Sequence, residues 1–209
     1  TMANMAVEAG AKNGIMEADH NTLALYTNLA TTRKPIFYHS DPNSKWKNII
    51  EVNTNSIEPQ VALPHLPENT RSVYSLSRIP INQSVIGSCT NGRIEDLRQA
   101  AEILKNREVH PEVKLYIFPG TPTILLQAEK EGLIQMFLES GAVLCPPSCG
   151  PCLGGHLGVL AEGESCISTT NRNFVGRMGH VRSEVYLANP YIAASSAIAG
   201  YIAAPDQLS

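Results

Sequence analysis

Charge is what this sequence has little of. Of its 209 residues, 17% are Asp, Glu, Lys or Arg, below the quarter or so usual in soluble domains, while 43% are hydrophobic. A chain so poor in charge has to hide much of its surface, in a sizeable core or against partners. Lys and Arg form no run and the net charge is −3, so nothing attracts a phosphate backbone or an anionic membrane surface. Nucleic acid is therefore not an expected partner. No stretch of about 18 apolar residues occurs, so no membrane-spanning helix is expected. A secretory signal is missing too, and the expected location is the cytoplasm. Repeats and low-complexity tracts are absent as well.

Cysteine is present, but in an odd number. There are five, four of them crowded between residues 145 and 166. A secreted disulfide framework prefers an even count in a shorter chain, whereas clustered thiols in a reducing compartment are more often metal ligands or catalytic groups. The chain opens on "TMANMAVEAGAK", already in a small-residue helical pattern. It reads as a segment whose N-terminal partner lies elsewhere.

Residues 1–30 read as helical material, with Ala3, Ala6, Ala9 and Gly10 allowing close packing. Residues 36–70 carry Pro, Asn and Ser at turn positions and read as irregular, with a domain boundary near residue 58. The expected organisation is a remnant of one domain plus a linker over 1–58 and a second domain over 59–209. From about residue 72, strands alternate with helices. "QSVIGS" is a short apolar strand running into Cys89, and Ile94, Leu97, Ala101 and Leu104 then make one helical stripe. "KLYIF" is a strand, Thr121 and Pro122 start a helix to about Ser140, and "GAVLC" and "CISTTN" are further strands. A last helix spans Pro190 to about Ala203. Such alternation predicts an α/β fold with a mostly parallel sheet flanked by helices, whose ligands gather at the carboxyl ends of the strands.

Three loops lie at those ends. In "GSCTNGR", Cys89 is flanked by Ser88, Thr90 and Asn91, all hydrogen-bonding residues, although a lone Cys at a strand end is ordinarily a buried thiol. In "CPPSCGPCLGG", Cys149 and Cys152 sit at i and i+3 around a Gly-Pro turn, and Gly154 and Gly155 let backbone approach a bulky group. The spelling Cys-Gly-Pro-Cys matches a redox dithiol, but such a pair sits at the start of an amphipathic helix, and "LGGHLG" is a poor one. A structural zinc site would need four ligands, available only by adding Cys145 and either Cys89 or Cys166. The third loop, "TTNRNFVGR", places Arg172 and Arg177 among asparagines; two guanidinium forks near a strand end suit a substrate with two or more carboxylates. Solvated surface arginines are the plainer alternative. Three thiolates, rather than four, beside such a strip point to an iron–sulfur cube with one iron left open, able to act as a Lewis acid on substrate oxygens.

Taken in order, "NMAVEAGAK", "GSCTNGRIEDL", "SCGPCLG" and "STTNRNFVGRMG" resemble the aconitase superfamily. The likeness is greatest to the large subunits of its 3-isopropylmalate dehydratase and homoaconitase branch, and it covers nearly the whole chain. The resemblance implies a C-terminal half of such a subunit, with an aconitase-type three-layer α/β fold preceded by part of a second α/β domain. It implies Cys89, Cys149 and Cys152 as ligands of a [4Fe-4S] cluster. It further implies Asn171, Arg172, Arg177 and Ser88 as substrate-binding residues, and Asn4 and Glu8 as catalytic residues near the cluster. Without it, Glu8 would be read as an exposed helix charge. Cys145 and Cys166 match no ligand position and are expected to be buried thiols; His65, His156 and His180 are expected to be core or surface histidines. The implied activity is a hydro-lyase isomerisation of a hydroxy di- or tricarboxylic acid in amino-acid (leucine-type) biosynthesis. The implied partners are the N-terminal half of the large subunit and a small, swivelling-domain subunit. Alone, the fragment is expected to turn over little or nothing. The competing readings are a non-catalytic metal-binding or assembly module and a Cys149/Cys152 thiol oxidoreductase.

Overall fold

The computed structural model describes residues 1–27 and 34–208. They divide into two compact units, Thr1–Ser56 and Ile57–Ser209.

In the first unit no described residue is buried. The helical expectation for residues 1–30 is corrected here. Residues 2–10 form successive turns closed by bonds such as Glu8 N–H to Met5 O (3.1 Å) and Ala9 N–H to Ala6 O (3.1 Å). The only α-helix among this unit's described residues is α1, His20–Thr27, and residues 28–30 lie outside the described ones. Gly10, Asn13 and Gly14 interrupt the pattern, and its small side chains bury too little to stabilise a long helix. Asp19 starts α1, its carboxylate accepting from Thr22 N–H at 2.9 Å. Those bonds hold the Asp19 carboxyl below its usual range.

The second unit holds a seven-stranded sheet and four helices. Its strands are β1 Gln60–Ala62, β2 Thr70–Ser72, β3 Gln83–Ile86, β4 Lys114–Ile117, β5 Val143–Leu144, β6 Ser165–Ser168 and β7 Glu184–Leu187. Its helices are α2 Ile94–Leu104, α3 Pro122–Lys130, α4 Leu133–Glu139 and α5 Pro190–Ala199. The order across the sheet is β2-β1-β7-β6-β3-β4-β5. Strands β7, β6, β3, β4 and β5 run parallel, and β1 and β2 add an antiparallel ribbon at one edge. The expected α/β class with a mostly parallel sheet is present. The edge ribbon and β7 are additions that the sequence reading lacked.

Alternation along the strands sorts the core, because successive side chains point to opposite faces. Ile86, Leu115, Ile117, Ile167 and Tyr186 face one way and pack with Leu97, Leu104, Phe137, Ile192 and Ala197 from the helices. Val85, Phe118, Cys166 and Val185 face the other way and pack with Cys145, Leu160 and Met178 from the loops.

Two helix expectations are corrected. The single helix expected over 121–140 is two, since Gly132 adopts φ 75° and ends the first run at Lys130. Its start is as read: Thr121 Oγ1 accepts from Ile124 N–H at 3.2 Å, with Pro122 in the first turn. The final helix stops at Ala199 rather than near Ala203, because Gly200 takes the left-handed conformation (φ 81°) that closes helix ends.

The chain order places the loops. From β3 it moves outward through β4 to β5, then crosses back to place β6 on the other side of β3. The β3/β6 boundary is therefore the point at which the winding reverses, where a crevice opens at the carboxyl ends of an open parallel sheet.

Candidate functional site

Cys89 follows β3, Asn171 and Arg172 follow β6, and Cys149 and Cys152 arrive from the loop after β5. The turn after β3 needs glycine: Gly87 has φ 93° and its α-carbon lies against the Phe118 carbonyl, leaving no room for a Cβ. The β5 loop then crosses back over the sheet edge and presses Gly150 (φ 60°) onto the ring of Phe118, where a Cβ would come within 2.8 Å of Cε2. Phe118 is fully buried. It forms the floor on which both cysteine loops rest, a role its place at the end of "KLYIF" did not announce.

The three thiols meet. Cys152 Sγ donates to Cys149 Sγ at 2.7 Å, and Cys89 Sγ lies 3.3 Å from Cys149 Sγ. Cys89 is exposed, Cys149 and Cys152 are half-buried, and all are free thiols. Burial pushes up the Cys89 thiol, and Cys149 adds to this, while the charge of Arg172 pulls the other way. Burial and then Cys149 push Cys152 up to about 12, against the charge of Arg177. For Cys149 burial also opposes ionisation. Hydrogen bonds from Cys152 and Cys89, the Cys89 backbone and the charge of Arg177 outweigh it, and this thiol is lowered.

Both arginines thus act on the thiols, Arg172 on Cys89 and Arg177 on Cys149 and Cys152. The Arg177 Nε is buried without a hydrogen-bond partner. Asn171, 8% exposed, clamps the loops together: its Oδ1 accepts from Thr90 Oγ1 at 3.1 Å and from Asn91 Nδ2 at 3.2 Å. Asn91 also donates to the Thr169 carbonyl, and Thr169 Oγ1 accepts from Gly87 N–H at 2.8 Å. Ser88 is buried, and its hydroxyl accepts from the Thr90 and Asn91 amides at 3.3 Å each. That hydroxyl shapes the cysteine loop. Asn173, which the sequence reading placed only beside the arginines, is fully buried and donates to the Leu63 carbonyl at 2.7 Å. It ties the loop after β1 to the arginine strip.

Other residues stand apart. Asn4 is exposed and Glu8 half-buried among the turns of the first unit. Cys145 and Cys166 are buried in the core beneath the sheet, 2% and 0% exposed. Burial pushes Cys145 up to about 11 and Cys166 higher still. His156 is exposed, with its ring 6.4 Å from that of Phe118; His180 stands 3.9 Å from Glu162. His65 is half-buried, its Nδ1 enclosed without a partner. Among the described residues no three His, Cys, Asp or Glu side chains surround a point where a single metal ion could sit. No helix among them is long and apolar enough to cross a membrane.

Sheet and site together define an α/β protein with a thiol and arginine centre where the winding of its mostly parallel sheet reverses. The chain belongs to the aconitase family: the family model described as aconitase family (aconitate hydratase) matches residues 1–200. It is 59% identical over 208 residues to the 3-isopropylmalate dehydratase large subunit of Desulfatibacillum aliphaticivorans. It is 58% identical over 208 residues to that of Moorella thermoacetica, and 57% identical over 210 residues to large subunit 1 of Pyrococcus furiosus. Each match covers 100% of this chain and 49% of the relative. The chain spans about half the length of the curated relatives it matches.

Proposed function

We propose that this chain is the cluster-bearing part of a hydro-lyase large subunit that isomerises a hydroxy di- or tricarboxylic acid, of the 3-isopropylmalate or homocitrate type, by dehydration and rehydration. One observation carries the reading: three thiols from two loops converge, with two arginine charges acting on them, at the point where the winding reverses.

The donor set suits a [4Fe-4S] cluster. It consists of three soft sulfurs with no fourth cysteine beside them, since Cys145 and Cys166 are committed to the core. A closed zinc site takes four ligands, whereas three thiolates leave a cluster iron for substrate. The thiols stand in contact, so holding it would require them to part; Cys89 is exposed, and Gly150, Gly154 and Gly155 flank Cys152. Cys89, Cys149 and Cys152 would be the ligands, and the bound group would supply Lewis-acid polarisation of a substrate oxygen.

The chain's own residues do the rest. Arg172 and Arg177 take substrate carboxylates, each fork able to hold one by paired hydrogen bonds. Asn171 and Ser88 keep the loops in register so that carboxylates and thiols keep their spacing, and such positioning supplies much of the rate. Asn4 and Glu8 are proposed to contribute polar and proton-handling groups. The proposed partners are the remainder of the large subunit and a small subunit, which the name "large subunit" of the relatives supports. Large apolar side chains exposed on the first unit, among them Ile15, Ile36, Trp46, Ile49 and Ile50, support burial against such partners.

The test is co-expression with the remaining half and the small subunit of a relative, following the unsaturated acid formed by dehydration through its ultraviolet absorbance. A fall in kcat/KM on Arg177→Ala, with iron content kept, supports the reading. Activity unchanged by that substitution contradicts it.

A further inference from the structure

The geometry points to a modification site at the same three cysteines. We infer that, when no metal occupies them, Cys149 and Cys152 close reversibly to a disulfide under mild oxidants such as peroxide, and that this bridge withholds two of the three ligands. The consequence for the ligands rests on the proposed function; the bridge itself does not.

Three observations carry it. The Cys149 and Cys152 sulfurs stand at 2.7 Å, so a bond of about 2.05 Å needs a movement of only some 0.7 Å. Both thiols are half-buried rather than sealed, and Cys89, beside them, is exposed, so a small oxidant reaches the group. Cys149 precedes and Cys152 lies within a single 3₁₀ turn, Gly150–Leu153, which already folds Cys152 N–H back towards the Cys149 carbonyl at 3.4 Å. The other pairing, Cys89 with Cys149, starts from 3.3 Å and joins two separate loops, of which the Cys89 loop is tied to the loop after β6 through Asn91 and Asn171. The intraloop bridge is favoured because its sulfurs start closer, lie in one loop and put no pull on the tie between the Cys89 loop and the loop after β6.

The chemistry balances with peroxide as the oxidant. The Cys149 sulfur takes one oxygen from hydrogen peroxide to become a sulfenic acid, and one water is released. The Cys152 sulfur then attacks it, the S–S bond forms, and the hydroxyl leaves with the Cys152 proton as a second water. The two thiols lose two electrons and two protons in all. Reduction by a dithiol returns both thiols through exchange. Cys145 and Cys166, buried in the core, take no part.

The test uses this chain, stripped of metal under reducing anaerobic conditions, treated with equimolar hydrogen peroxide, then alkylated and mapped by mass spectrometry. The expected result is a loss of about 2 Da and of two of the five thiols, with the bridge mapped to Cys149–Cys152 and reversed by dithiothreitol. Cys89→Ser should form the same bridge. A bridge between Cys89 and Cys149 in the unsubstituted chain, stable sulfinic acid at Cys149, or five thiols remaining each overturns the proposal. Iron and sulfide are then offered to oxidised and reduced samples. Uptake by the reduced sample alone supports the blocking role, and equal uptake by both overturns it. Uptake by neither, with the bridge mapped, counts against the cluster reading and leaves the disulfide established.

Discussion

At the scale of single residues, the site is a set of interactions centred on Cys149. Its thiol is lowered while its neighbours are raised, so an alkylating agent should label Cys149 first. Only the thiolate reacts. A lowered thiol becomes reactive at a pH below the ordinary thiol range, whereas Cys152, pushed up to about 12, stays protonated there. Peptide mapping after brief iodoacetamide treatment across a pH series checks this order; Cys152 labelling ahead of Cys149 would contradict it. The arginines carry a second prediction. In the assembled enzyme, Arg177→Ala should raise the KM for the hydroxy acid by about 10-fold to 100-fold, the loss of roughly 1.5–3 kcal/mol carried by a charge-assisted pair. Iron content, measured alongside, should not change.

At the scale of elements, the fold depends on glycine for two different reasons, at Gly132 between α3 and α4 and at Gly87 in the turn that leads to Cys89. Gly132 and Gly87 both adopt positive φ, but a Cβ at Gly132 meets open space, while one at Gly87 runs into the Phe118 carbonyl. Gly132→Ala should therefore cost only the conformational term, about 1 kcal/mol. Gly87→Ala forces the β3 turn to move and should cost about 2–4 kcal/mol, with loss of the Cys89 position. Paired denaturant titrations measure both, and equal costs would refute this explanation. The same elements show what was legible in the sequence. β3, β4 and α2 could be read because short apolar runs and a clean stripe of Ile94, Leu97, Ala101 and Leu104 are local signals. The edge ribbon was hidden in a Pro- and Asn-rich stretch, since β1 and β2 are three residues each and gain their partner only through tertiary pairing. β7, "EVYL", is as long as β3 and β4 and went unread between two turn-rich stretches. The Gly132 break was missed because the apolar pattern continues across it. At the site, the cysteines and arginines were conspicuous by type and spacing. The tie from Asn173 to Leu63 joins residues 110 apart, and nothing local announces it.

At the scale of the whole chain, every buried residue among those described lies in the unit Ile57–Ser209. Residues 57–209, produced alone, should accordingly melt in one cooperative transition within a few degrees of the complete chain. Calorimetry of the two decides it; a broad, non-cooperative melt of the shorter piece would show that the first 56 residues contribute to the core. The low charge content that opened the sequence reading has its counterpart in the large apolar side chains exposed on the first unit. The proposed assembly is what would cover them.

The central claim is that Cys89, Cys149 and Cys152 together hold a four-iron cluster, and the direct measurement is anaerobic reconstitution with iron and sulfide of this chain and of Cys89→Ser. The account predicts about four irons and four sulfides per chain with the visible absorption of a cubane cluster, and their loss in the variant. Tight zinc without sulfide, or iron and sulfide bound equally well by Cys89→Ser, would contradict it.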